Sequence, residues 1–149
     1  MKYLFFVLLV LTSSLVNAQT AEDSVRAAVN SLFEGMKNAD PAVIKNAFAD
    51  SAILQTIING PNGKITVRTE PVAAFENSIS KLAKGAADER IEFGSVKVDG
   101  ALASVWTPYK FYYNGTFSHC GANSFQLIRV NGSWKIQYLI DTRRRQGCN

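Results

Sequence analysis

Histidine occurs once in this sequence and cysteine twice, and the two cysteines, Cys120 and Cys148, stand 28 positions apart. Zinc and iron sites need several such ligands at short spacing, so this scarcity argues against a metal centre. No glycine-rich phosphate loop is present, and no cofactor is expected. Repeats, low-complexity tracts and interdomain linkers are also missing. Excess charge is scarce: without Lys2 the chain holds 15 basic and 12 acidic side chains, a balance of +3, much of it in Arg143-Arg144-Arg145. A nucleic-acid reader would present a broader basic face with interleaved aromatics, so the arginine run reads as a solvated tail and no nucleic-acid partner is expected.

Met1 and Lys2 precede nine apolar residues, Tyr3 to Leu11, and Val16-Asn17-Ala18 follows as a small-residue cleavage site. The apolar run is too short to span a bilayer and reads as a secretory signal over residues 1–18. Export to the periplasm or the medium follows, with no membrane partner after cleavage. Residues 19–149 suit a single domain, because a chain of that size buries enough surface to hold a core unaided. In an oxidising compartment Cys120 and Cys148 are expected to form a disulfide. The alternatives are two free thiols or a catalytic Cys120 beside His119, but neighbours on a strand point to opposite faces and cannot easily act as nucleophile and base.

Val25, Ala28, Val29, Leu32, Phe33 and Met36 draw one stripe along a helix that ends near Asn38. Asp40-Pro41 starts a second, with Asp40 as the N-cap and Ile44, Ala47 and Phe48 turned inward. Residues 52–58 and 64–68 read as strands around the turn-rich Asn59-Gly60-Pro61-Asn62-Gly63. Thr69 is expected to cap a third helix carrying Val72, Phe75, Ile79 and Leu82. Beyond Gly85 the chain is all strand, divided by turns at Asp99-Gly100, Asn114-Gly115 and Asn131-Gly132. The last two also match the N-glycosylation pattern, but the hairpin turn explains their Asn-Gly step. The fold class is therefore α+β: three N-terminal helices on a strongly curved, mostly antiparallel sheet.

Two-residue loops at Asn114-Gly115 and Asn131-Gly132 would fix the pairing of the last three strands. Trp106 would then face Asn123, Asn123 would face Ile140, and Ser104, Phe125 and Tyr138 would align. One face would carry Leu102, Trp106, Phe125, Leu127, Trp134, Ile136, Tyr138 and Ile140 toward the helices, leaving Thr107, Tyr109, Gln126, Gln137 and Asp141 outside. Toward the strand ends the inner face turns aromatic and polar, as a ligand pocket does, with Trp106, Tyr112, His119, Asn123 and Tyr138 as its expected lining. Pro108 and Gly121 admit a bulge, which would exchange the faces of residues beyond it and makes the placement of His119 depend on it.

Asp40-Pro41 opening a helix that ends in Ala47-Phe48-Ala49-Asp50, and a meander closing in Asn131-Gly132-Ser133-Trp134-Lys135-Ile136, resemble the nuclear transport factor 2-like superfamily. Three runs, Trp106 to Tyr112, Ser118 to Gly121 and Tyr138 to Arg143, look like its exported bacterial, SnoaL-like group described as putative lumazine-binding. The resemblance spans nearly all of residues 21–145. It implies a cone, or cystatin-like α+β roll, with a cavity at the open end and frequent homodimers through the outer sheet face. It also implies a superfamily of isomerases, cyclases, dehydratases, hydrolases and non-catalytic members, among which fold alone does not choose.

Isomerase chemistry needs a carboxylate base and acidic hydrogen-bond donors. On the expected register Asp141 and Glu92 point outward, and Asp50 or Glu34 from the helices could substitute. The expected function is thus binding of a small, partly aromatic molecule without assigned catalysis. The alternatives are an isomerase, dehydratase or hydrolase using the same pocket, or a module that dimerises or docks a partner. A desolvated carboxylate in the cavity would favour the enzyme.

Overall fold

Helix α1 (Ala21–Asn38) begins where Thr20 and Asp23 exchange hydrogen bonds in a capping box, in the computed structural model, which describes residues 20–148. The expected signal peptide, residues 1–18, lies outside the described residues. Val25, Val29, Leu32, Phe33 and Met36 form the buried stripe of α1. Ala39 then turns left-handed, and Asp40 caps α2 (Pro41–Ala47) by accepting from the amides of Ala42 and Val43 at 3.0 and 3.1 Å.

Seven strands follow: β1 (Phe48–Asn59), β2 (Ile65–Glu70), β3 (Ala87–Ile91), β4 (Ser95–Asp99), β5 (Leu102–Tyr113), β6 (Thr116–Val130) and β7 (Ser133–Thr142). They form one sheet in the order β2-β1-β7-β6-β5-β3, with β4 also on β5; β1 and β7 are parallel and every other pair is antiparallel. Helix α3 (Val72–Ser80) lies between β2 and β3, so the helices are not all N-terminal. Thr69 does not cap it. Its hydroxyl accepts from Gln55 Nε2 at 2.9 Å, and Pro71 occupies the cap position without a side-chain bond.

The Asn114-Gly115 and Asn131-Gly132 turns take positive φ at both residues, as two-residue hairpins with this sequence do. Two single-residue bulges nevertheless overturn the expected register. In β6, Tyr112 pairs with Phe117 but Phe111 pairs with His119, leaving Ser118 extra. In β7, Leu127 pairs with Ile136 but Gln126 pairs with Tyr138, leaving Gln137 extra. Each insertion reverses the side-chain parity of what lies beyond it. Trp106 therefore pairs with Ser124, not Asn123, and Asn123 with Asp141, not Ile140.

The core is built from Ala103 and Val105 of β5, Phe125 and Leu127 of β6, and Trp134, Ile136 and Leu139 of β7, against α1 and α2. Leu102 and Trp106, expected inside, are 51% and 46% exposed. Thr107, Tyr109 and Asp141, expected outside, are buried. The fully buried Phe125, Leu127, Ile136, Leu32 and Ile44 each contribute roughly 1.5 to 3 kcal/mol.

Candidate functional site

The two bulges place a polar cluster where the aliphatic core ends. Asn123 of β6, buried between strands, donates through Nδ2 to Glu89 Oε1 on β3 at 2.8 Å and to Thr107 Oγ1 on β5 at 3.3 Å. Beside it on β7, Asp141 Oδ2 accepts from Arg143 Nε at 2.8 Å and from the Tyr109 hydroxyl at 3.1 Å. Arg143 reaches across to Thr56 Oγ1 of β1 at 3.3 Å. Two hydrogen-bonded groups, Asn123 with Glu89 and Thr107, and Asp141 with Tyr109, Arg143 and Thr56, thus lie side by side, drawn from five strands, β1, β3, β5, β6 and β7, and the residue just beyond β7.

Gly121 makes the Tyr109 arm of this network possible. A Cβ at that position would lie 1.8 Å from the Thr142 carbonyl oxygen and 2.8 Å from Cε1 of Tyr109. Only glycine lets the Thr142 carbonyl and the tyrosine ring cross β6 there, and the Tyr109 hydroxyl then meets that carbonyl at 2.9 Å.

Glu89, Asn123, Asp141, Arg143, Thr56 and Glu70 share a cavity of about 60 Å³ with apolar walls from α1, α3, β1 and β7, including Phe33, Met36, Leu54, Phe75 and Leu139. Burial pushes the Glu89 carboxyl up from 4.5 to about 7; the Asn123 bond and Arg143 oppose the shift, and the Asp141 charge adds to it. Burial also raises the Tyr109 phenol, and the Asp141 and Glu89 charges push the same way. For Arg143 burial alone would lower the pKa, but the bond to Asp141 and its charge outweigh it, so the guanidinium stays protonated. The cavity therefore offers a fixed cation and a carboxyl that exchanges its proton near neutral pH. No three His, Cys, Asp or Glu side chains among the described residues converge so as to hold a metal ion.

Of the five residues expected to line a pocket, only Asn123 lines this cavity. Trp106 lies on the outer face, as does Tyr138, whose hydroxyl donates to Gln55 Oε1 at 2.7 Å. Tyr112 lies under the Arg90 guanidinium, 4.1 Å from its ring centroid. His119 is partly buried between Phe111 and Tyr109, with ring centroids 5.0 and 5.8 Å away. Burial and then Arg143 lower its pKa. Glu34 and Asp50 are exposed and do not substitute for an inner carboxylate. Glu89, Thr107, Tyr109, Asp141 and Arg143 were hidden from the strand-parity reading. Cys120 and Cys148 form a disulfide, with Cα atoms 5.7 Å apart.

Residues 20–138 match the family model described as putative lumazine-binding. The chain belongs to that family. Its fold is NTF2-like. An NTF2-like protein of unknown function from Shewanella baltica is 17% identical, with a TM-score of 0.63 over 83% of this chain and 93% of that one. A cystatin-like domain of unknown function from Nostoc punctiforme is 18% identical, with a TM-score of 0.65 over 87% and 82%. A ketosteroid isomerase-like protein from Erwinia carotovora atroseptica is 14% identical, with a TM-score of 0.59 over 82% and 95%. No curated protein matches the chain of this family member.

Proposed function

We propose that the protein binds a small organic molecule in the cone enclosed by α1, α3 and the inner sheet face, with Glu89 and Asn123 as the polar end of the site. The observation that carries this reading is the buried Asn123 amide held against a desolvated carboxyl at the end of an apolar-walled cavity. Apolar walls desolvate a ligand and the few polar groups orient it. At about 60 Å³ the cavity is smaller than the roughly 300 to 1,000 Å³ typical of ligand sites. A bicyclic ligand of the lumazine kind therefore enters only if a wall moves. Helix α3 is the wall that yields, because Ile79 is its one buried residue. Native mass spectrometry of the purified protein with lumazine tests this: retention should be lost in Asn123→Ala. Equal retention by the variant would place the ligand elsewhere.

The carboxyl at about 7 favours a second reading, an isomerase, dehydratase or hydrolase in the same cavity, since proton transfer is most efficient from a group poised near the working pH. Glu89→Gln separates the two: it abolishes turnover under the enzyme reading and leaves binding intact under both. The disulfide, together with the leader-like residues 1–18, supports an exported protein with one domain over 19–149. A homodimer through the outer sheet face would cover Leu102 and Trp106, which stand exposed there.

A further inference from the structure

On the sheet face away from the cavity a second concavity, of about 330 Å³, opens beside the disulfide. Its cations lie in one row across four chain segments, because Arg90 pairs with Lys110, Lys110 with Cys120, and Cys120 with Arg144. Arg90 and Lys110 are thus direct cross-strand neighbours of like charge, an arrangement that weakens a sheet unless something compensates it. The compensation within the protein is partial. Arg90 bonds Asp88 through Nε at 2.9 Å, but Asp88 is shared with Lys37 at 3.1 Å. Arg144 uses Nε on the Gly147 carbonyl at 3.2 Å. Lys110 has no ion pair or side-chain hydrogen bond among the described residues. Of the side chains lining the groove, Glu92 is the one carboxylate against these three cations.

The row is also held in place. The Tyr112 ring beneath Arg90 and the Asp88 bond at Nε fix the guanidinium plane, and its terminal nitrogens make no hydrogen bond among the described residues. The paired backbone bonds between Cys120 and Arg144, at 2.9 and 2.8 Å, fix the other end, and the Cys120–Cys148 bridge walls it. A guanidinium whose Nε is occupied still presents its outer N–H groups to a carboxylate or phosphate, and a cleft lined by one sign of charge concentrates ions of the other. The volume falls within the range of small-molecule sites.

We propose that this groove binds a small organic anion bearing two or more negative charges, phosphate or carboxylate, spanning Arg90, Lys110 and Arg144. The site is separate from the cavity of Glu89 and Asn123, and the arginine run expected to be a solvated tail divides between the two: Arg143 serves the cavity and Arg144 the groove.

Thermal unfolding and isothermal titration of the full chain at constant ionic strength test it, with inorganic pyrophosphate and succinate as probes and acetate as control. Pyrophosphate, succinate or both should raise the melting temperature saturably, and which one does so assigns phosphate or carboxylate chemistry. Lys110→Gln should weaken binding about tenfold, as expected for losing one charge-assisted bond, and should itself melt higher without anion, because it removes the like-charge pair. Glu92→Gln should tighten binding, and Asn123→Ala should leave it unchanged. The proposal is overturned if neither probe gives a saturable shift, if Lys110→Gln binds as the parent does, or if Asn123→Ala loses the anion.

Discussion

Glu89 makes the stability of this protein depend on pH in a direction opposite to most carboxylates. The unfolded chain releases the Glu89 proton at an ordinary 4.5, whereas the folded chain holds it until about 7. Between those values the native state binds the extra proton, so stability is fully present below about 4.5 and is lost as pH rises through about 7. The difference of 7 less 4.5, at about 1.4 kcal/mol per pKa unit, is about 3.5 kcal/mol, of which about 2.5 is lost above pH 5. Glu89→Gln keeps an oxygen to accept from Asn123 Nδ2 but does not titrate. His119 acts with the opposite sign, since burial lowers it and makes the folded state prefer neutral imidazole, but it is common to both proteins and cancels in their difference. Urea unfolding followed by circular dichroism from pH 5 to pH 8.5 should show Glu89→Gln gaining about 2.5 kcal/mol on the parent as pH rises. Parallel stability profiles for the two proteins would mean that Glu89 does not titrate in that window and that its burial leaves no mark on stability.

Gly121→Ala should cost at least about 3 kcal/mol, because the Thr142 carbonyl 1.8 Å from the new Cβ belongs to the backbone and cannot turn aside. Gly132→Ala is the control: its Cβ meets nothing within 4 Å and only the left-handed φ of 80° is penalised, at about 1 to 2 kcal/mol. Urea midpoints for the two variants should separate clearly, and equal losses would mean that the close crossing of β6 and Thr142 does not exist. Reducing Cys120–Cys148, which closes a separation of 28 residues, should lower stability by about 3.5 kcal/mol on the chain-entropy estimate. Thermal unfolding with and without reductant measures this, and a mass difference of two hydrogens confirms the bridge; an unchanged mass would contradict it.

What the sequence made legible and what it concealed divide along a physical line. Helix stripes and caps are local, so Val25 to Met36 and Asp40-Pro41 could be read directly, as could the left-handed Asn-Gly turns. Which face of a strand is inside is not local. It depends on counting across a hairpin, and one extra residue on either strand reverses the answer. In β5 the alternation itself gave no warning, because Leu102, Ser104 and Trp106 form as apolar a set as Ala103, Val105 and Thr107. The larger side chains pointed the reading to the wrong face. Glu89 was hidden differently: between Asp88 and Arg90 it reads as part of a charged, solvated edge, and only the neighbouring Asn123 and the closing helices make it a cavity group.

The two extra residues, Ser118 and Gln137, are also the ones that build the site. Without the Ser118 insertion, Thr107 and Tyr109 would share the outer face with Lys110's present neighbour Cys120, and without the Gln137 insertion Asp141 and Arg143 would turn together to the other face, away from Tyr109. Bulges break ladder pairing, and such features concentrate where a side chain must be re-aimed for a purpose other than packing. The inner carboxylates that the expected register denied to this chain are supplied by its irregularities, together with an edge strand, β3, that brings Glu89 to the same end of the sheet. A chain of the same composition with regular hairpins would keep its aliphatic core at Phe125, Leu127 and Ile136 and lose the polar cavity. The chemistry of this protein therefore rests on register rather than on residue content.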